Sequence, residues 1–245
     1  MRIQFVQDII DKIRGKKNLK SNNVKYGRMI FSQDGEDAVL LSYIEEDKGK
    51  NYKGFYVDIG AHHPKRFSNT NIFYQMGWRG INIDGTPGSM REFNVQRIGD
   101  INIEAAISDN DSDVVSYYEF EESALNSFDK KIVESYIENG CRLNKIVKLK
   151  TSSINTVLDK YVPNNKKIDF ITIDIEGVDE QVIRSLNYGK YAPDYFIIED
   201  SKFNRNCDFA EYGNISNIYQ FLSKKNYIVI GKTMRSIIYR KQARY

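Results

Sequence analysis

Apolar residues in this chain concentrate in short runs, separated by stretches in which they recur every three or four positions. Runs of roughly four to eight read as strands buried on both faces, and the wider spacing reads as helices that cover them. Phe55–Gly60 is then the first strand, Asn69–Met76 the helix after it, Gly80–Asp84 the second strand, Ser89–Arg97 the second helix and Asn102–Ser108 the third strand. A Tyr-rich strand at Val114–Phe120 and a polar loop through Asn126 follow, then a strand at Lys145–Lys150 and a helix at Ile154–Lys160. Ile168–Ile175 is the most strand-like run, with a helix at Glu180–Leu186, a strand at Tyr195–Glu199 and a helix at Asn217–Leu222 beyond it. Tyr227–Ile230 and Ser236–Arg240 close the chain; their connection is too short for a helical crossover, so they must pair antiparallel. The alternation predicts an α/β fold: a doubly wound, mostly parallel seven-stranded sheet that ends in an antiparallel hairpin.

Composition adds limits. At 245 residues, 41% hydrophobic and 28% charged, the chain suits one sizeable domain and is too apolar for disorder. No run approaches the roughly 18 apolar residues of a membrane helix, and the start lacks the pattern of a secretory signal, which points to the cytoplasm. Cys141 and Cys207 lie far apart and outside any metal-binding spacing, so reduced thiols are expected. A net charge of +3 is too small to imply a nucleic-acid partner. Basic residues do concentrate in residues 1–20, at Arg2, Lys12, Arg14, Lys16, Lys17 and Lys20, with Phe5, Ile9, Ile10 and Ile13 at helical spacing. Residues 1–26 therefore read as a basic amphipathic helical extension ahead of a domain over 27–245. That helix either packs on its own domain or docks a membrane surface or partner.

Ligands of doubly wound sheets sit at the carboxyl ends of the central strands, and here those ends are acidic. Asp58 ends the first strand, Asp84 the second, Asp174 with Glu176 the Ile168–Ile175 strand, and Glu199-Asp200 the next. One strand-end Asp could merely cap a turn; four in order are hard to ascribe to capping. A sheet of this layout with a terminal hairpin resembles the class I S-adenosylmethionine-dependent methyltransferases. Around such a cofactor, Asp58 and the bare backbone of Gly60-Ala61 would approach the amino acid part. Asp84, followed by Gly85 and Thr86, would accept the ribose hydroxyls, while Ala106 and Ser108 would lie against the adenine. Asp174 would face the methyl group and the incoming nucleophile.

Four ordered blocks sharpen the resemblance: Ser32-Gln33-Asp34-Gly35-Glu36-Asp37, Asp58-Ile59-Gly60-Ala61-His62-His63-Pro64, Gly77-Trp78-Arg79-Gly80-Ile81-Asn82-Ile83-Asp84, and Ile173-Asp174-Ile175-Glu176-Gly177. Together they resemble the FkbM family of methyltransferases over roughly residues 27–240. The resemblance implies S-adenosyl-L-methionine as cofactor and methylation of hydroxyls, often on sugars of bacterial surface polysaccharides such as capsule or lipopolysaccharide, or on natural products. A dinucleotide enzyme is disfavoured, since only Gly60 of a G-x-G-x-x-G pattern follows the first strand. Asn82-Ile83-Asp84-Gly85-Thr86 resembles the start of an aspartyl phosphatase, but Asn82 stands where the nucleophile would be needed.

A sugar hydroxyl is a poor nucleophile while protonated, so a general base is expected. Asp174 is the first candidate; His62 or His63 could serve instead, only one of them facing the pocket, and Glu199 stands on the neighbouring strand end. Asp174, Glu176, Glu199 and Asp200 could also hold Mg²⁺, which is left open rather than expected, Glu176 serving equally well as a helix cap. Ser32 could simply cap the helix over Ala38–Tyr43, or the segment folds over the cofactor with Gln33 or Asp37 contacting it. Ser123–Phe128 could be a lid or an acceptor-side loop, and Arg66, Arg79, Lys202 and Arg205 are either diphosphate anchors for a nucleotide sugar or ordinary surface charge. Two alternatives stay open: a methyltransferase-like binding module docking a biosynthetic partner, and a methyltransferase with a non-sugar acceptor. The sugar, the hydroxyl position and any homo-oligomer are not legible.

Overall fold

A computed structural model describes residues 27, 29–122, 125–175, 177–200 and 209–242. The chain divides at Ile30/Phe31 into two units. The first contributes only residues 27, 29 and 30, so the basic helix expected over residues 1–20 lies outside the described residues.

The second unit runs α1 (Glu36–Lys48), β1 (Phe55–Ile59), α2 (Asn71–Gln75), β2 (Arg79–Asp84), α3 (Met90–Gln96), β3 (Ile101–Glu104), β4 (Ala106–Ser108), β5 (Val114–Phe120) and α4 (Lys130–Glu138). It continues with β6 (Leu143–Ser153), α5 (Ile154–Tyr161), β7 (Phe170–Ile173), α6 (Asp179–Ser185), α7 (Tyr188–Tyr191), β8 (Tyr195–Glu199), α8 (Phe209–Ile215), α9 (Asn217–Lys224), β9 (Tyr227–Lys232) and β10 (Ser236–Lys241). Seven strands form one sheet in the order β3-β2-β1-β7-β8-β10-β9. β1 pairs parallel with β2 and β7, and β8 parallel with β7. β10 runs antiparallel between β8 and β9, which makes the predicted terminal hairpin the edge of the sheet. Every residue of β1 and β7 is buried, Asp58 and Thr172 among otherwise apolar side chains.

Period-two alternation sends Phe55, Val57 and Ile59 into a core with Val157, Leu158, Val182, Ile183 and Leu222 from α5, α6 and α9. Tyr56 joins the opposite core with Leu40, Leu41 and Ile44 of α1, Phe73 of α2, and Trp78. Asp58 shares the face of Tyr56, which decides where its carboxylate goes.

The strand expected over Asn102–Ser108 is broken in two. Glu104 is level with Asp84, the last residue of β2, so the sheet offers nothing further to pair with. Ala106–Ser108 instead pairs parallel with Thr151–Ser153 at the end of β6. The strand expected at Lys145–Lys150 is correspondingly longer, because β6 pairs antiparallel with β5 over most of its length and with β4 at its end. A second, three-stranded sheet in the order β4-β6-β5 results. Among the described residues no helix is long and apolar enough to cross a membrane.

Candidate active site

At the carboxyl ends of β1, β2, β7 and β8 lies a cleft of about 520 Å³, within the range of ligand sites. Its floor is Gly60, Asp84, Gly85, Asp174, Ile175 and Glu199. Two depressions of comparable size lie toward the opposite end of the sheet, around Tyr188–Lys225 and around Asp47 and Tyr195, away from the acidic strand ends.

Gly60 has φ 84°, and a side chain there would put its Cβ 1.7 Å from the Asp174 carbonyl oxygen. The space that glycine leaves is therefore taken by the neighbouring chain, which brings β1 and β7 together below the cleft. Register then sets the acids: Ile173 is level with Ile198, so Asp174 and Glu199 follow side by side. Their carboxyls are hydrogen-bonded to each other. Asp174 has surface open to the cleft, yet protein surrounds it on the other sides. Desolvation, then the charges of Glu199 and Asp179, hold its carboxyl well above the usual range. Two carboxylates so placed cannot both ionise freely.

Asp84 is buried and ties two loops together: Oδ2 accepts from the His62 backbone N–H (2.9 Å) and Oδ1 from that of Thr86 (2.8 Å). Each oxygen keeps a further lone pair for a hydroxyl. His62 lines the cleft in the left-handed region at φ 53°, its ring stacked on Phe67 at 6.3 Å. Burial lowers its pKa from the usual 6.5, so the imidazole is neutral at pH 7. His63 turns away: its Nδ1 accepts from the backbone N–H groups of Lys65 (3.0 Å) and Arg66 (2.9 Å), and its Nε2 lies 3.1 Å from Glu92.

Other expected residues fall elsewhere. Asp58 stands in β1 behind the cleft wall, accepting from Thr70 Oγ1 at 2.8 Å, because the strand's alternation turns it into the helix layer. Desolvation raises its pKa to about 6 from 3.8. A buried carboxyl shifted this way favours the native state most when protonated: that contribution is complete below pH 4 and is lost as pH rises to 6. Asp58→Asn is therefore expected to be more stable than wild type by on the order of 2–3 kcal/mol above pH 6, with the gap closing by pH 4. Urea unfolding across that range measures it; a gap independent of pH would refute the assignment.

Asp37 is likewise buried, accepting from Ser32 Oγ (2.7 Å) and the Phe31 backbone N–H (2.8 Å); it fixes the segment leading into α1 rather than meeting a ligand. Gln33, Asp34 and Glu36 do line the cleft. Asp34 pairs with Arg235 at 3.0 Å, and Glu36 accepts from Thr233 Oγ1 at 2.6 Å, so this segment is clasped to the β9–β10 turn. Ala106 and Ser108 are not among the lining residues, since β4 has left the main sheet. The wall beside Gly85 is aromatic instead. Tyr117 of β5 and Phe128 stand 4.7 Å apart, and the Tyr117 hydroxyl is hydrogen-bonded to Thr86 Oγ1. Sequence reasoning missed Tyr117, Asn69, Ile132 and Tyr136; the Tyr-rich character of β5 was the one available signal.

Arg79 begins β2, five residues and about 16 Å of strand from Asp84, so it anchors nothing in the cleft. Arg66 pairs with Glu122 at 3.0 Å. Lys202, Arg205, Ser123 and Glu176 lie outside the described residues. Asp200 is buried and accepts from Ser216 Oγ at 2.6 Å. Among the described residues no three His, Cys, Asp or Glu side chains converge as a metal site would need.

A mostly parallel seven-stranded sheet with a reversed β10 and an acid-floored cleft at its carboxyl end has the layout of a methyltransferase fold. The chain belongs to the FkbM methyltransferase family, whose domain profile matches residues 58–229. No curated protein matches the chain significantly. Among solved structures it is similar to monomeric WbdD, at 11% identity and a TM-score of 0.42, over 84% of this chain and 40% of that one. It thus spans less than half of WbdD's length. A protein described as a type 11 methyltransferase from Sulfolobus solfataricus is similar at 15% identity and a TM-score of 0.39, over 82% of this chain and 92% of that one.

Proposed function

We propose that this chain is an S-adenosylmethionine-dependent O-methyltransferase whose acceptor is a sugar hydroxyl, either nucleotide-activated or within a capsule or lipopolysaccharide saccharide. The hydrogen-bonded pair of Asp174 and Glu199, set in one cleft with Gly60 and Asp84, carries the reading. The residues present fit the cofactor: acids suit a cationic sulfonium, Asp84 has lone pairs for ribose hydroxyls, and the Tyr117–Phe128 wall offers a face to a purine. Gln33, Gly85 and Thr86 border the same space. S-adenosylmethionine would supply a methyl group already activated for transfer.

The chain's own residues then have two tasks. The first is alignment, which can contribute several kcal/mol by holding the acceptor oxygen in place, about 7 or more in the best cases. Asn69, Asn126 and Ser236 in the lining offer both donors and acceptors, as a polyol requires, and the stacked His62–Phe67 pair gives an apolar face. The second is proton removal. An alkyl hydroxyl needs a base more than a phenol does, and a carboxylate raised toward neutrality is a stronger base than an ordinary one. Asp174 in its unprotonated form accepts the hydroxyl proton on its carboxylate oxygen, with Glu199 beside it to share that proton.

Incubation with methyl-labelled S-adenosylmethionine and a panel of nucleotide sugars and surface saccharides tests this. Label is expected in a sugar. Label appearing only in phenols or protein would overturn the acceptor, and calorimetry that shows binding of neither S-adenosylmethionine nor its demethylated product would overturn the cofactor.

A further inference from the structure

Arg97, the C-terminal flank of α3, is 1% exposed, an extreme place for a guanidinium. Its fork is nevertheless fully occupied, and by one loop above all. Nε and Nη2 donate to the Pro64 carbonyl (3.1 and 2.8 Å), Nη2 to Ser68 Oγ (3.0 Å) and Thr70 Oγ1 (3.4 Å), and Nη1 to the Tyr56 hydroxyl (2.9 Å). Asp100 lies 3.5 Å away as its ion-pair partner, and the Tyr74 ring packs beneath the guanidinium at 4.7 Å.

The loop so gripped is the one between β1 and α2, and it is strained at both ends of its cleft-facing part. His62 (φ 53°) and Phe67 (φ 57°) are both non-glycine residues in the left-handed region. Each such residue costs roughly 1–2 kcal/mol and persists only where its surroundings over-determine it. Pro64, whose carbonyl takes two of the charge-assisted bonds, lies between them in sequence. The two strained residues are also the two that stack to form one wall of the cleft, and the His62 backbone N–H is bound to Asp84. Arg97 itself is not among the cleft-lining residues.

We infer that Arg97 is a positioning residue: from behind the wall its guanidinium fork holds the β1–α2 loop in the conformation that presents His62 and Phe67 to the cleft and ties His62 to Asp84. That this wall serves a cofactor or acceptor rests on the function proposed above; that Arg97 holds it does not. A lysine would keep the charge near Asp100 but could not span Pro64, Ser68 and Tyr56 at once. The loop of R97K would then leave the strained conformation for part of the time, and His62 would meet more water.

The chain has only two histidines, His62 and His63, so proton NMR resolves the question directly, with H63Q identifying the His62 signal. The groups facing His62 are Asp84, Arg66, His63 and Glu122, none of which R97K alters. In R97K the His62 midpoint is expected to rise toward about 6.5, the value of a solvated imidazole. Affinity for S-adenosylhomocysteine should fall about fivefold if the loop is competent about a fifth of the time. A folded R97K whose His62 midpoint and S-adenosylhomocysteine affinity both match wild type would overturn the inference, even with a lowered Tm. S68A, which removes one loop acceptor and leaves the ion pair, supplies the same His62 reading should R97K not fold; an unmoved midpoint there counts equally against it. If wild type binds no S-adenosylhomocysteine, the cofactor reading fails, while the His62 shift still decides the role of Arg97.

Discussion

Asp174→Asn is expected to lower kcat by about 10²- to 10⁴-fold, the usual contribution of a positioned general base. Its amide keeps the shape of the carboxyl and its place beside Glu199 but cannot accept the acceptor's proton. Affinity for S-adenosylhomocysteine should change far less, so the loss falls on turnover. The pH profile gives the second reading. Burial and the charge of Glu199 hold Asp174 above the usual carboxylate range, so the wild-type rate should climb with pH along a limb displaced upward from about 4. Glu199→Gln removes that charge, and the limb should move down toward the ordinary range, with a lower plateau because the base is weaker. Apparent midpoints belong to the coupled pair, and the informative quantity is the displacement between the two enzymes. Asp174→Asn retaining more than about a tenth of wild-type kcat, or a limb unmoved by Glu199→Gln, would take the pair out of proton transfer.

Gly60→Ala is expected to destabilise the fold by on the order of 3–5 kcal/mol, at the top of the range for a single small substitution. Two independent reasons add. Alanine at φ 84° pays the left-handed penalty, and its Cβ would stand 1.7 Å from the Asp174 carbonyl, which is backbone and cannot swing aside. Relief requires β1 and β7 to separate where Asp174 is placed, so residual activity in any folded variant should fall as well. Denaturant unfolding measures the stability; a midpoint within error of wild type would show that the strands do not approach this closely.

Much of the fold was legible because strands buried on both faces need runs rich in apolar residues, and β1, β7 and β8 have them. The terminal hairpin was legible for a different reason: so short a link permits only antiparallel pairing. The division of Asn102–Ser108 between two sheets was not legible, since its residues are equally strand-like on either side of Ala105. Only the length of β2 decides where β3 must stop. In the site, the strand-end rule located Gly60, Asp84, Asp174 and Glu199. It misplaced Asp58, which lies one residue short of the end of β1 and points into the helix layer. Alternation from Tyr56 could have shown this, because residues two apart share a face.

By itself, then, the sequence determined which segments become strands and helices, where the chain reverses, and which acids and which glycine stand at the strand ends, because these depend on spacings of a few residues. The tertiary structure alone decided that Asp174 and Glu199 become a hydrogen-bonded pair, since that follows from the register of β7 on β8. It decided equally that Tyr117 and Phe128, from outside the main sheet, wall the cleft beside Asp84, and that Arg97 reaches Pro64 from 33 residues away along the chain. Contacts of this range are fixed by packing and loop closure, which leave no period in the sequence to read.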